Sequence, residues 1–155
     1  MSKLVNRLLT FFIGLPVMIA LVIFDYFHHL PLNIVAVGFS FIGAWEFCNM
    51  ATKKTPLFNK YLISTLAALL PLIFSFIEIG TEAIAWIFTF FIIILMAVEC
   101  FSQENFTFSV EKLAISTLII FYCGFGMTFI SRMTMLTNST YFIILYFILV
   151  FMCDS

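Results

Sequence analysis

Residues 141–155 read Tyr-Phe-Ile-Ile-Leu-Tyr-Phe-Ile-Leu-Val-Phe-Met-Cys-Asp-Ser. Twelve bulky uncharged side chains and a cysteine run without a break into one carboxylate, Asp154. A helix that packs on a soluble core keeps a polar face. This one has none, so its solvent is lipid. Five further apolar runs read as the scaffold around it, and the lone acid at its end reads as a group held at the membrane surface.

Composition supports that choice. The 155 residues are 64% hydrophobic, 19% aromatic and 10% charged, with a mean hydropathy of +1.19. Ordinary soluble domains are roughly half apolar and a quarter charged. A water-soluble core of this length could not hide 22 Phe. Lipid offers the backbone no hydrogen-bond partners, which leaves helices or a closed barrel. Barrel strands alternate polar and apolar residues over about 10 positions. These runs are longer and uniformly apolar, so the fold class is all-α, a polytopic transmembrane bundle of about six spans. Residues 1–155 read as a single transmembrane domain, with no internal repeat or low-complexity linker. The net charge of −1 gives no case for nucleic acid.

Lys3 and Arg7 precede an apolar run from Leu8 to Phe24 that contains Pro16. No small-residue cleavage site follows, so this is a retained first span. His28 and His29 come next; neighbours in sequence point apart and make a poor metal chelate. The second span, about Leu32 to Met50, carries Ala36, Ser40 and Ala44 at four-residue spacing. Such spacing lets two helix backbones approach closely. It ends in Ala44-Trp45-Glu46-Phe47. A polar loop with Lys53, Lys54 and Lys60 leads to a third span, Tyr61 to about Ile77, interrupted by Pro71. The fourth span, about Ala83 to Phe101, has Glu99 near its end. The fifth, Leu113 to Ile130, contains Phe121-Tyr122-Cys123-Gly124 and leads to Arg132. Cys48, Cys100, Cys123 and Cys153 lie in or beside apolar runs without CxxC spacing, and read as packed thiols. The Asn-x-Thr triplets at Asn105 and Asn138 fall on opposite sides of the membrane and read as chance matches.

Charge sets the orientation. With the N-terminus in the cytoplasm, Lys3, Arg7, Lys53, Lys54, Lys60 and Lys112 lie inside and only Arg132 lies outside. Spans two, four and six then run inward, so Glu46, Glu99 and Asp154 reach similar depth near the cytoplasmic headgroups. Acids in membrane spans commonly face a bundle interior or a wet cavity. Hard cations such as Mg²⁺ take carboxylate and phosphate oxygens. This layer suits chemistry on a phosphorylated lipid headgroup with a cytoplasmic nucleotide. The plainer alternative also stands: acids near helix ends can point to water, Glu99 in particular, and Asp154 can be a solvated terminus.

In these residues the chain resembles the phosphatidate cytidylyltransferases, or CDP-diacylglycerol synthases. Arg7-Leu8-Leu9-Thr10 followed by Ile13-Gly14-Leu15-Pro16-Val17 is similar to that family's opening span. Ala44-Trp45-Glu46-Phe47 resembles its second-span ending. Phe121-Tyr122-Cys123-Gly124 with Ser131-Arg132 resembles its Tyr-x-Gly span and the arginine after it. Phe151-Met152-Cys153-Asp154-Ser155 is similar to the start of its Asp-(Ser/Thr)-x-Ala-Tyr motif. The resemblance implies a reaction of CTP with phosphatidate, Mg²⁺ as cofactor, Asp154 as a metal ligand, and a multi-pass protein of the bacterial inner membrane. Glu46 and Arg132 match positions of that family without an assigned role, and Arg132, Lys53 and Lys54 are candidate phosphate or substrate contacts. It also implies a longer enzyme: a Ser-Pro-Lys-Lys-Thr stretch and a Lys-Arg…Lys-Asp…His-Gly-Gly…Asp-Arg-x-Asp signature are not among these 155 residues. The chain corresponds to an N-terminal half, and the expectation is that it shows no transferase activity alone. Rival readings are a small transporter or channel subunit with Glu46 and Glu99 on an ion path, and a purely structural membrane subunit. Whether the chain forms a homodimer is left open.

Overall fold

The structure, a computed structural model, describes residues 14, 16–23, 29–53, 55–77, 80, 82–102 and 108–154, with the backbone alone for 102 and 151–154. Its described elements are all helical, with no strand among them: α1 (16–23), α2 (Leu30–Ala51), α3 (Lys60–Phe76), α4 (Glu82–Ser102), α5 (Ser109–Ile119), α6 (Gly126–Met133) and α7 (Ser139–Asp154). A π-helical segment, Ile120–Phe125, joins α5 to α6 in one rod. The chain is therefore an all-α membrane bundle, with six rods among the described residues. Leu30–Ala51, Glu82–Phe101 and Ser109–Met133 are each long and apolar enough to cross a bilayer. The 17 residues of α3 rise only about 25 Å.

The shorter α3 is the centre of the bundle, touching α2, α4, α5, the π segment and α6. Its start is set by Asn59, whose side chain accepts the Tyr61 N–H at 3.1 Å. Ile63, Leu66, Ala67, Leu70 and Phe74 are buried along it. Around them Ala44 and Cys48 of α2, Phe91 and Leu95 of α4, and Ile119, Ile120 and Cys123 close the main core. Helix α4 faces lipid on most of its surface; Phe101 is 93% exposed. So much bare apolar surface would be a liability in water, whereas in hydrocarbon it is an ordinary solvent contact.

A polar contact holds α2, α3 and the π segment together. A proline inside a helix has no N–H for the carbonyl four residues back. For Pro71 that carbonyl belongs to Ala67. The Ser40 hydroxyl lies 2.9 Å from the Ala67 oxygen and 3.1 Å from the Cys123 oxygen, its one proton shared between them. The small stripe of α2 makes the approach feasible, since Ala36, Ser40, Ala44 and Cys48 are all buried. Gly124 meets the same point: a Cβ built there would stand 2.7 Å from the Ala67 oxygen.

Contacts at the two ends define the up-and-down order. At one end Lys112, starting α5, lies over Phe58, in the loop before α3, at 4.4 Å. At the other, His29 Nε2 lies 2.8 Å from Ser139 Oγ, and Asn33 Nδ2 donates to Thr134 Oγ1 at 3.2 Å. His29 precedes α2 in a left-handed conformation, φ 54°, which costs a non-glycine residue about 1–2 kcal/mol. Its side chain is fully buried and is spent on the contact with Ser139, not on capping the helix.

Candidate functional site

The first group at the Lys112 end forms where α2 meets α3. Trp45 and Tyr61 pack edge to face at 4.7 Å. The Lys60 ammonium stands 4.3 Å from the Trp45 ring centre, within cation–π range. Glu46 is exposed. Successive helical residues turn by about 100°, so the stripe that buries Ala44 and Cys48 sends Glu46 to the other side. The small residues beside Glu46 do pack, but on a face that it does not share. Lys53 is exposed just beyond α2, and Lys54 lies outside the described residues.

A second group joins α4 to α5. Glu99 is buried, 5% exposed. One carboxylate oxygen receives the Lys112 ammonium at 2.7 Å and the other the Ser109 hydroxyl at 2.8 Å. Lys112 in turn covers the Phe58 ring, so both members of the pair leave water. The plainer sequence expectation, a Glu99 turned to water, is overturned by these contacts. Sequence reasoning counted Lys112 only as an inner cation. The signal available was its place in the first turn after the short loop that follows Glu99's helix.

Glu46 and Glu99 do not gather. Among the described residues α2 and α4 have no direct contact, separated by α3 and α5. Helix α7 packs on α6, and its direction carries Asp154 toward the Lys112 end; the Asp154 side chain lies outside the described residues. A transporter path lined by Glu46 and Glu99 together finds no support in this arrangement. Arg132 is half-buried at the far end of its rod, 6.0 Å from the Phe74 ring centre. Twenty residues of helix put it about 30 Å from Lys112. It cannot share a site with Lys53, Glu46 or Glu99.

Among the described residues no three His, Cys, Asp or Glu side chains stand close enough to hold an ion, both Glu99 oxygens are already taken, and the Asp154 side chain lies outside the described residues. Mg²⁺ is commonly held by one or two carboxylates together with substrate phosphates.

The sequence profile of the cytidylyltransferase family matches residues 5–155. The chain belongs to the cytidylyltransferase family. No curated protein and no solved structure gives a significant match. The cytidylyltransferase match covers nearly every residue of the helical bundle, and the long apolar helices make the chain a membrane protein. Membership makes it an enzyme of nucleotidyl-transfer type, one that meets nucleotide and lipid. What the Lys112 end offers a cytidylyltransferase is an exposed Lys53, an exposed Glu46 and a lysine seated on Trp45. The Glu99–Lys112 pair, closed on itself, is a brace between α4 and α5.

Proposed function

We propose that the protein serves CDP-diacylglycerol synthesis: a phosphatidate phosphate oxygen attacks the α-phosphorus of CTP, the bond to the β-phosphate breaks, and pyrophosphate leaves. The observation that carries this reading is the extent of the family match, residues 5–155, over a chain built for lipid. A cytidylyl acceptor for such an enzyme is best supplied from the bilayer, with its phosphate at the headgroup level. On the charge distribution that level is the cytoplasmic one, in the inner membrane of a bacterium.

In this reading Lys53 and Lys54 attract the nucleotide and lipid phosphates. Mg²⁺ is the expected ion, and Asp154 is the carboxylate that this chain is proposed to offer it. Arg132, at the opposite end, takes no part. The 155 residues alone are proposed to supply the membrane frame without completing the transfer, since the basic signature segments of the resemblance are not among them.

The test measures CTP- and Mg²⁺-dependent formation of CDP-diacylglycerol in native membranes and by the purified chain in liposomes containing phosphatidate. The activity of native membranes is expected to fall when the protein is depleted. Unchanged activity on depletion would overturn the substrate assignment. Turnover by the purified chain would instead overturn only its proposed incompleteness.

A further inference from the structure

Between α1, α2, α6 and α7 lies a cavity of about 270 Å³. Met18, Leu32, Ala36, Met127, Ile130 and Phe147 line it, and among the described residues every other lining side chain is apolar too. We propose that this cavity is a binding site for the acyl chain of a membrane lipid, distinct from the headgroup chemistry at the opposite end of the bundle.

Its position follows from helix spacing. Asn33 lies three residues before Ala36, Thr134 four after Ile130, and Ser139 four before Ile143 and eight before Phe147. These positions share helix faces. The pairs Asn33–Thr134 and His29–Ser139 therefore roof the cavity at the end of the bundle remote from Lys112. None of these four side chains is among the described residues that line the cavity. Below the roof, Leu32, Ile143 and Phe147 form a buried cluster with Val22. Toward the side the cavity is open: Phe39, on its rim, is 55% exposed, and its α2 neighbours Ile34 and Ile42 are exposed as well.

The occupant follows from chemistry. Apolar cavities of about 150 Å³ stay dry and take up small hydrocarbons; this one is larger, and among the described residues no polar side chain lines it to hold water. It opens along membrane-spanning helices, where the molecules on hand are lipid tails. Met18 and Met127 flank it, and thioether side chains adapt to irregular flexible guests. A polymethylene chain enters from the side and needs no opening in the roof.

The experiment uses the intact chain in phosphatidylcholine nanodiscs doped with phosphatidylcholine bearing a diazirine on its acyl chain. After irradiation, adducts are mapped by peptide mass spectrometry. The 127–130 segment is expected to be labelled in excess of the lipid-facing α4 residues Trp86 and Phe90. Ala36→Phe, which fills the cavity, is expected to lose the excess while α4 labelling persists. If that variant fails to fold, Met127→Phe takes its place. Even labelling over both helices would overturn the proposal. So would an absence of label at 127–130 in the unsubstituted protein together with a thermal midpoint that rises in Ala36→Phe, because the cavity would then be only a packing void.

Discussion

The Ser40 hydroxyl lies 2.9 Å from the Ala67 carbonyl, the acceptor that Pro71 deprives of its helical donor. Two oddities in neighbouring spans, a serine in a stripe of small residues and a proline inside a helix, are thus halves of one contact. In hydrocarbon no water can substitute for either half.

Ser40→Ala is expected to destabilise the bundle by about 1–2 kcal/mol, the range for a lost buried or interhelical bond. Pro71→Ala returns an N–H to α3 and should shrink that loss. Unfolding of both single variants and the double in mixed micelles measures the coupling. Additive effects would mean that the serine does not compensate the proline.

Glycines 124 and 126 are two residues apart and should behave oppositely. A Cβ at Gly124 meets α3 backbone at 2.7 and 3.0 Å, while nothing stands within 4 Å of one at Gly126. Gly124→Ala is expected to cost about 1–3 kcal/mol, as over-packing does. Gly126→Ala is expected to be neutral or to stabilise by up to about 1 kcal/mol, because the glycine loses more backbone freedom in the helix. Thermal midpoints of the two variants in one detergent decide it.

The Glu99–Lys112 pair is 7% and 12% exposed, so removing one charge strands the other. Glu99→Gln or Lys112→Met is expected to lose about 3 kcal/mol, the lower end for a broken buried pair. Glu99→Leu combined with Lys112→Met should recover most of it. If each single change costs no more than a surface substitution, the pair is not the brace described above.

Glu46 gives the contrasting case. Being exposed, it should tolerate Glu46→Gln within about 0.5 kcal/mol. A fall in CDP-diacylglycerol formation by native membranes carrying that variant would then report on chemistry or binding. A large fall in stability would contradict its placement.

The rods were legible because hydropathy in lipid depends on each residue's own side chain. The expected third span, Tyr61 to Ile77, meets a helix at Lys60–Phe76, and the fifth, Leu113 to Ile130, lies within Ser109–Met133. The face of Glu46 was harder to read. Trp45, Glu46 and Phe47 sit together in sequence, and only the packed stripe through Ala44 and Cys48 shows which way the acid points. The partner of Glu99 was harder still: thirteen residues separate it from Lys112, and their meeting depends on how α4 and α5 pack on α3 and Phe58.

By itself, then, the sequence determined the solvent, the helical class, the approximate spans and, through its motifs, the family, since each of these rests on local composition or on residue order along the chain. Tertiary structure alone decided that α3 is the hub, that Ser40 serves the carbonyl freed by Pro71, that α5 passes into a π segment beside Gly124, and that Arg132 stands far from the other candidates. Those features are distances between rods, and apolar helices bathed in lipid carry little sequence signal about which neighbour they touch, because lipid tails and leucine side chains are nearly equivalent partners.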